Sequence, residues 1–218
     1  MMRKDIGRVR RRGRPPVRTV GAPARPRSSE TRRAHLLDAA AKLFVERDAA
    51  EVTIDDIAAE AGVAKGTFYH YFATKADLLG GLQHRFIDAF DRRLETAVGA
   101  HAPGDWNGKL AAWVEATITA LFEMQALHDV AFHQAPSHGA PQFAQLPFVT
   151  RLAELLAGGE DAGAWRVGDP LAVALMVFHG LHGVADETAI ARSMDAQSLR
   201  ALCVQLVCGM VGSAPAER

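Results

Sequence analysis

The chain has 218 residues, as many acidic as basic side chains, and 49% hydrophobic against 23% charged residues. That composition excludes a wholly disordered protein and supports a sizeable core, in one large domain or in a small domain fused to a larger one. The zero net charge hides an asymmetry: residues 1–33 hold twelve Arg or Lys against Asp5 and Glu30, a local +10 beside −10 in the remainder, and such a block seeks nucleic acid or an anionic membrane surface.

The basic arm, residues 1–29, is broken by Pro15, Pro16, Pro23 and Pro26, shows no apolar period and is expected to be disordered when free. It lacks the apolar run of a signal peptide, and no later stretch is long and uninterrupted enough to span a bilayer, so a cytoplasmic protein without a membrane partner is expected. From Glu30 the spacing of Leu36, Leu37, Ala40, Leu43 and Phe44 predicts a helix through about Arg47. Thr53 with Asp56 reads as a capping box opening a short helix from Ile54 to Ala61. Gly62 stops it, Val63 turns inward, and a second short helix runs from about Lys65 to Tyr71. Thr74 with Asp77 repeats the box and opens a long helix carrying Leu78, Leu82, Phe86, Phe90 and Leu94.

After the break at Pro103-Gly104, Asp105 caps a helix with Leu110, Trp113, Ile118, Leu121 and Phe122. Residues 128–147 are irregular, a further helix spans Phe148 to Leu156, and Gly158-Gly159 is expected to end it. Asp169 and Pro170 suit N-cap and N1 of the next helix, which is apolar over most of its circumference, and Asp195 caps a last one. Helices apolar on more than one face must be buried on more than one face, against a second subunit or inside a large monomeric bundle. Cys203 and Cys208 diverge on one helix and read as buried thiols. The fold class is therefore all-α.

Two short helices joined by a turn suit a helix-turn-helix whose second helix lies in the major groove of DNA. Lys65 sits at that helix's start, Gly66 keeps the edge thin for close backbone approach, Thr67 adds a hydroxyl, and Tyr69 and His70 can reach phosphates or base edges. Thr53 and Lys75, at the starts of the flanking helices, are candidate phosphate contacts. Phe68, Tyr69, Tyr71 and Phe72 could all be core aromatics, although so short a helix cannot bury every side chain. Residues 34–79 carry four basic against eight acidic side chains, so nonspecific attraction to DNA rests on the arm. There Arg12-Gly13-Arg14-Pro15 is similar to the core of an AT-hook, with Arg12 and Arg14 reading a narrow minor groove or simply attracting phosphates.

The run TIDDIAAEAGVAKGTFYHYFATKADLL at 53–79, within a match from about Arg32 to Leu79, resembles the DNA-binding signature of the TetR family of repressors. One departure is Asp48-Ala49-Ala50, where that family usually places a glycine. The resemblance implies an all-helical homodimer: a disordered arm at 1–29, a three-helix DNA-binding domain at 30–76, and a larger effector-binding and dimerisation domain at 77–212. It implies DNA contacts at Thr53, Lys65, Thr67, Tyr69, His70 and Lys75. It also implies a four-helix dimer interface from the last two helices of each chain, using Val173, Phe178, Leu199, Leu202 and Leu206, with Gly180 and Gly183 permitting close approach. An effector cavity is expected between about Trp106 and Met176, lined by Trp113, Phe122, Met124, Phe132, Phe148 and Met176, with His128 or His133 as polar contact. So apolar a lining favours a small hydrophobic effector that releases a palindromic operator by shifting the population away from the DNA-competent state. No nucleotide loop, nucleophile elbow or closed metal-ligand set is present, so neither an enzyme, a cofactor nor a metal is expected. The alternative is an architectural DNA-binding protein without ligand control.

Overall fold

The computed structural model describes residues 29–133, 143–191 and 194–212, and among these the only regular elements are helical. They are α1 (Ser29–Glu46), α2 (Ile54–Glu60), α3 (Lys65–Tyr71), α4 (Lys75–Gly99), α5 (Trp106–Glu123), α6 (Gln125–His128), a π-helical turn (Asp129–His133), a 3-10 turn (Phe143–Gln145), α7 (Pro147–Asp161), α8 (Pro170–Ala191) and α9 (Ala196–Val211). Residues 1–28, with Arg12 and Arg14, lie outside the described residues, as does the side chain of His133. No described helix is long and apolar enough to cross a membrane.

The helix starts follow from local chemistry. Thr53 and Asp56 form the reciprocal capping box before α2, and Thr74 and Asp77 form it before α4. Asp105 accepts from the amide of Gly108, Asp169 from that of Ala172, and Asp195 from those of Gln197 and Ser198. Gly62 closes the α2–α3 turn at φ +66°, which a side chain would disfavour.

Gly158-Gly159 does not end α7, which runs on to Asp161. These glycines make room for tryptophans: a Cβ at 159 would fall 2.1 Å from Trp165 Cζ2, and one at 158 would fall 2.8 Å from Trp106 Cη2. Trp165 fills the space over Gly159 and donates its indole N–H to Leu156 O at 2.8 Å.

Two cores result. The smaller packs Leu36, Leu37, Ala40 and Phe44 of α1 against Ile57, Phe68, Phe72, Leu78, Leu79 and Leu82, and it also takes in Val130 from the π-turn. The larger gathers Phe86, Phe90 and Leu94 of α4 with the inner faces of α5, α7, α8 and α9. Helix α4 therefore belongs to both. Gly81 lets it close on the small core, since a Cβ there would stand 3.1 Å from Leu37 Cδ2 and 3.2 Å from Phe72 Cε1.

Candidate functional site

Helix α3 is seven residues long and anchored by Phe68, which is fully buried, while Phe72 is buried at its C-cap. That anchoring turns the other edge outward. Lys65, Gly66, Tyr69 and His70 are exposed and Thr67 is half-buried, so the groove-reading residues expected from the sequence share one open surface. A Cβ built on Gly66 meets nothing within 4 Å, so no contact inside the chain demands glycine there. Tyr71 is half-buried against the small core.

The polar groups around this edge are already engaged. The Lys65 ammonium sits 2.9 Å from Asp55 of α2, and the hydrogen bond to that carboxylate holds it above the usual lysine range. Thr53 Oγ1 accepts from the Asp56 amide and donates to Asp56 Oδ2 at 2.7 Å. Lys75 corrects the expectation of a phosphate contact: its ammonium donates to Ala49 O at 2.7 Å and Val52 O at 3.0 Å. The loop 47–53 folds back over the start of α4, and a half-buried ammonium satisfies two carbonyls that no helix or sheet uses. This is the loop lacking the usual glycine; Asp48 Oδ1 accepts from the Ala50 amide and Ala49 is buried.

In the larger core, aromatic side chains form a connected cluster at the place where the effector chamber is expected. Phe86 stacks on Phe90, Phe90 meets Phe148, Phe148 meets Phe178, and Phe132 packs on both Phe86 and His128. Of the expected lining residues, Trp113, His128 and Phe148 are buried, and Phe122, Met124 and Phe132 are half-buried against the same core. Met176 is the exception. It is 66% exposed, because it lies on the face of α8 opposite Phe178 and points away from the chamber. Sequence reasoning placed Phe86 and Phe90 only on the apolar stripe of α4, and it missed the meeting of His182 with His128, across 54 residues at 2.9 Å between Nε2 atoms.

The outer faces of α8 and α9 are apolar and uncovered. Met176, Val184 and Ile190 on α8 and Leu202, Leu206 and Met210 on α9 are exposed, with Gly180 and Gly183 exposed between them. Two expected interface residues are not there: Phe178 and Leu199 point into the subunit's own core, 4% and 1% exposed. Val173 is half-buried against that core. Among the described residues no group of three or more His, Cys, Asp or Glu side chains is arranged to hold a metal ion.

A short helix laid open beside a capped partner helix, both joined by a long helix to an aromatic core, is the arrangement of a helix-turn-helix DNA-binding domain. Residues 36–82 match the profile of the bacterial regulatory proteins of the tetR family. It is 38% identical over 72 residues to the repressor KstR2 of Mycobacterium tuberculosis, covering 33% of this chain and 36% of that one. Over 105 residues it is 33% identical to KstR2 of Rhodococcus jostii, covering 47% and 48%. The matches thus span less than half of these curated relatives. The whole fold is similar to FadR of Bacillus subtilis solved with stearoyl-CoA, at TM-score 0.67 and 22% identity, covering 80% of this chain and 96% of that one.

Proposed function

We propose that the chain is a ligand-responsive transcriptional regulator, a repressor that grips a palindromic operator as a homodimer and is released by a small hydrophobic effector. The observation that carries this reading is the continuity of α4, which supplies Leu78, Leu79 and Leu82 to the DNA-binding head and Phe86, Phe90 and Leu94 to the aromatic core. Lys65, Gly66, Thr67, Tyr69 and His70 face the groove, with Thr53 at the backbone. The uncovered apolar face of α8 and α9 pairs with its copy, which sets two recognition helices on successive major grooves. The arm, through Arg12 and Arg14, adds phosphate attraction or minor-groove contact beside the operator.

Coupling runs through residues 127–133 as well as α4. Val130 is buried in the head's core, Leu127 touches both cores, and His128 and Phe132 lean on Phe86. A molecule that repacks the phenylalanine wall displaces this turn and shifts the head between two positions. Members of the fold hold molecules as unlike as stearoyl-CoA and triclosan, so the fold alone names no effector.

The test is a titration of the full-length protein against the intergenic DNA beside its own gene, at fixed salt, with a shuffled duplex as control. Saturable binding confined to a symmetric site supports the regulator. Equal affinity for both duplexes, with a steep salt dependence, favours the architectural reading that the arm suggests.

A further inference from the structure

The phenylalanine chamber has one polar corner, and its arrangement is specific. His128, at the C-terminal end of α6, is 7% exposed and meets His182 of α8 with 2.9 Å between the two Nε2 atoms. The opposite edges of both rings face carboxylates: His182 Nδ1 lies 3.2 Å from Asp186, and His128 Nδ1 lies 3.6 Å from Asp129. Phe86 and Phe132 flank His128, and Phe178 flanks His182. A carboxylate behind an imidazole is the arrangement that keeps a proton on Nδ1. At 3.2 Å the Asp186 carboxylate keeps the proton of His182 on Nδ1, so His182 Nε2 accepts and His128 Nε2–H donates in the bond between the rings. The shared Nε2 edge lies among Phe86, Phe132 and Phe178, while the carboxylates behind it lie toward solvent.

We propose that this imidazole pair is the recognition point for an effector with a carboxylate head and an apolar, aromatic-sized body. The inference rests on the chamber being the effector site. The head enters as the acid: its proton passes to His182 Nε2, both Nε2 atoms then carry hydrogen, and each donates to one oxygen of the resulting carboxylate, so that one N···N bond is replaced by two charge-assisted N–H···O bonds while the apolar body lies against Phe90, Phe148 and Phe178. The rings must part to admit the head. His128 is followed at once by the π-helical turn, a distortion at which a helix shifts register readily, and that turn carries Val130 into the DNA-binding head. Opening the pair therefore moves a segment that, like α4, takes part in both cores.

The experiment uses the full-length protein and two probes of one skeleton, 4-phenylbutyrate and 4-phenylbutanol, with binding followed by calorimetry and operator release followed in parallel. The wild type binds the acid about tenfold more tightly than the alcohol. In His128→Gln and in His182→Gln that preference falls to about threefold or less, with the alcohol unaffected. Asp186→Asn, which changes only the carboxylate behind His182 and leaves both rings in place, reduces it partially, which guards against loss of folding in the histidine variants. Equal affinity for acid and alcohol, a preference that survives both histidine substitutions, or no binding of either probe overturns the proposal. So does tight binding of Zn²⁺ lost in the same variants, which assigns the pair to a metal. Discrimination without specific operator binding leaves the site standing and removes the regulator; specific operator binding without discrimination does the reverse.

Discussion

Lys75 separates two accounts of the same residue. As a phosphate contact it would contribute to DNA affinity and nothing to folding, whereas the structure has its ammonium bridging Ala49 O and Val52 O. Lys75→Met keeps the stem and removes the donor. A hydrogen bond involving a charged group contributes ~1.5–3 kcal/mol, and the released carbonyls regain part of that from water because the loop is at the surface. A net loss of ~2 kcal/mol follows, which at ~2–4 °C per kcal/mol for a chain of this size lowers Tm by about 4–8 °C. Thermal unfolding at fixed protein concentration measures it, beside the slope of log K against log salt for operator binding. The reasoning is refuted if Tm stays within about 1 °C while the slope falls by ~0.9, the signature of one lost phosphate contact.

Gly159→Ala drives a methyl into Trp165 and breaks the indole bond to Leu156, destabilising by ~2–4 kcal/mol with a red-shifted tryptophan emission. Gly158→Ala meets only the far end of the half-buried Trp106 ring and costs less; equal losses would refute the distinction. Asp91 is buried beside Arg151, and desolvation raises its carboxyl above the ordinary value. A raised folded pKa contributes stability below the unfolded value and loses it as pH rises, so Asp91→Asn increases Tm at neutral pH and the gain fades toward pH ~4. Arg151 keeps Glu95 at 2.7 Å, so a Tm that falls at neutral pH would show that the ion pair outweighs desolvation. Asp55→Asn frees Lys65 from its partner and removes a negative charge beside the recognition helix, raising operator affinity about two- to fivefold in a filter-binding or anisotropy titration. An unchanged affinity would mean that Lys65 makes no phosphate contact.

Much of the architecture was legible because helix starts are local events. The boxes Thr53-Asp56 and Thr74-Asp77, and the caps Asp105, Asp169 and Asp195, need only three or four neighbouring residues. The exposed edge of α3 was legible for a related reason: seven residues can bury only one side. Helix α8 was not, because a helix apolar all round has no period to say which side meets the core, and Met176 and Phe178 were exchanged as a result. Lys75 was misread because the carbonyls it binds lie 23 and 26 residues away. Gly158-Gly159 looked like a stop because the tryptophans that demand them are tertiary neighbours. The π-turn and the His128–His182 contact leave no sequence period at all.

Val130 carries a consequence for how such a protein can be cut and rejoined. A head excised at residue 76 would lose Leu78, Leu79, Leu82 and Val130 from its hydrophobic interior and expose what they cover. The head and the larger core are consequently not modules in the sense of parts that travel separately. A chimera that transplants this recognition helix must bring residues 77–82 and a compatible turn at 127–130 with it, and melting of the intact chain should proceed as a single cooperative event.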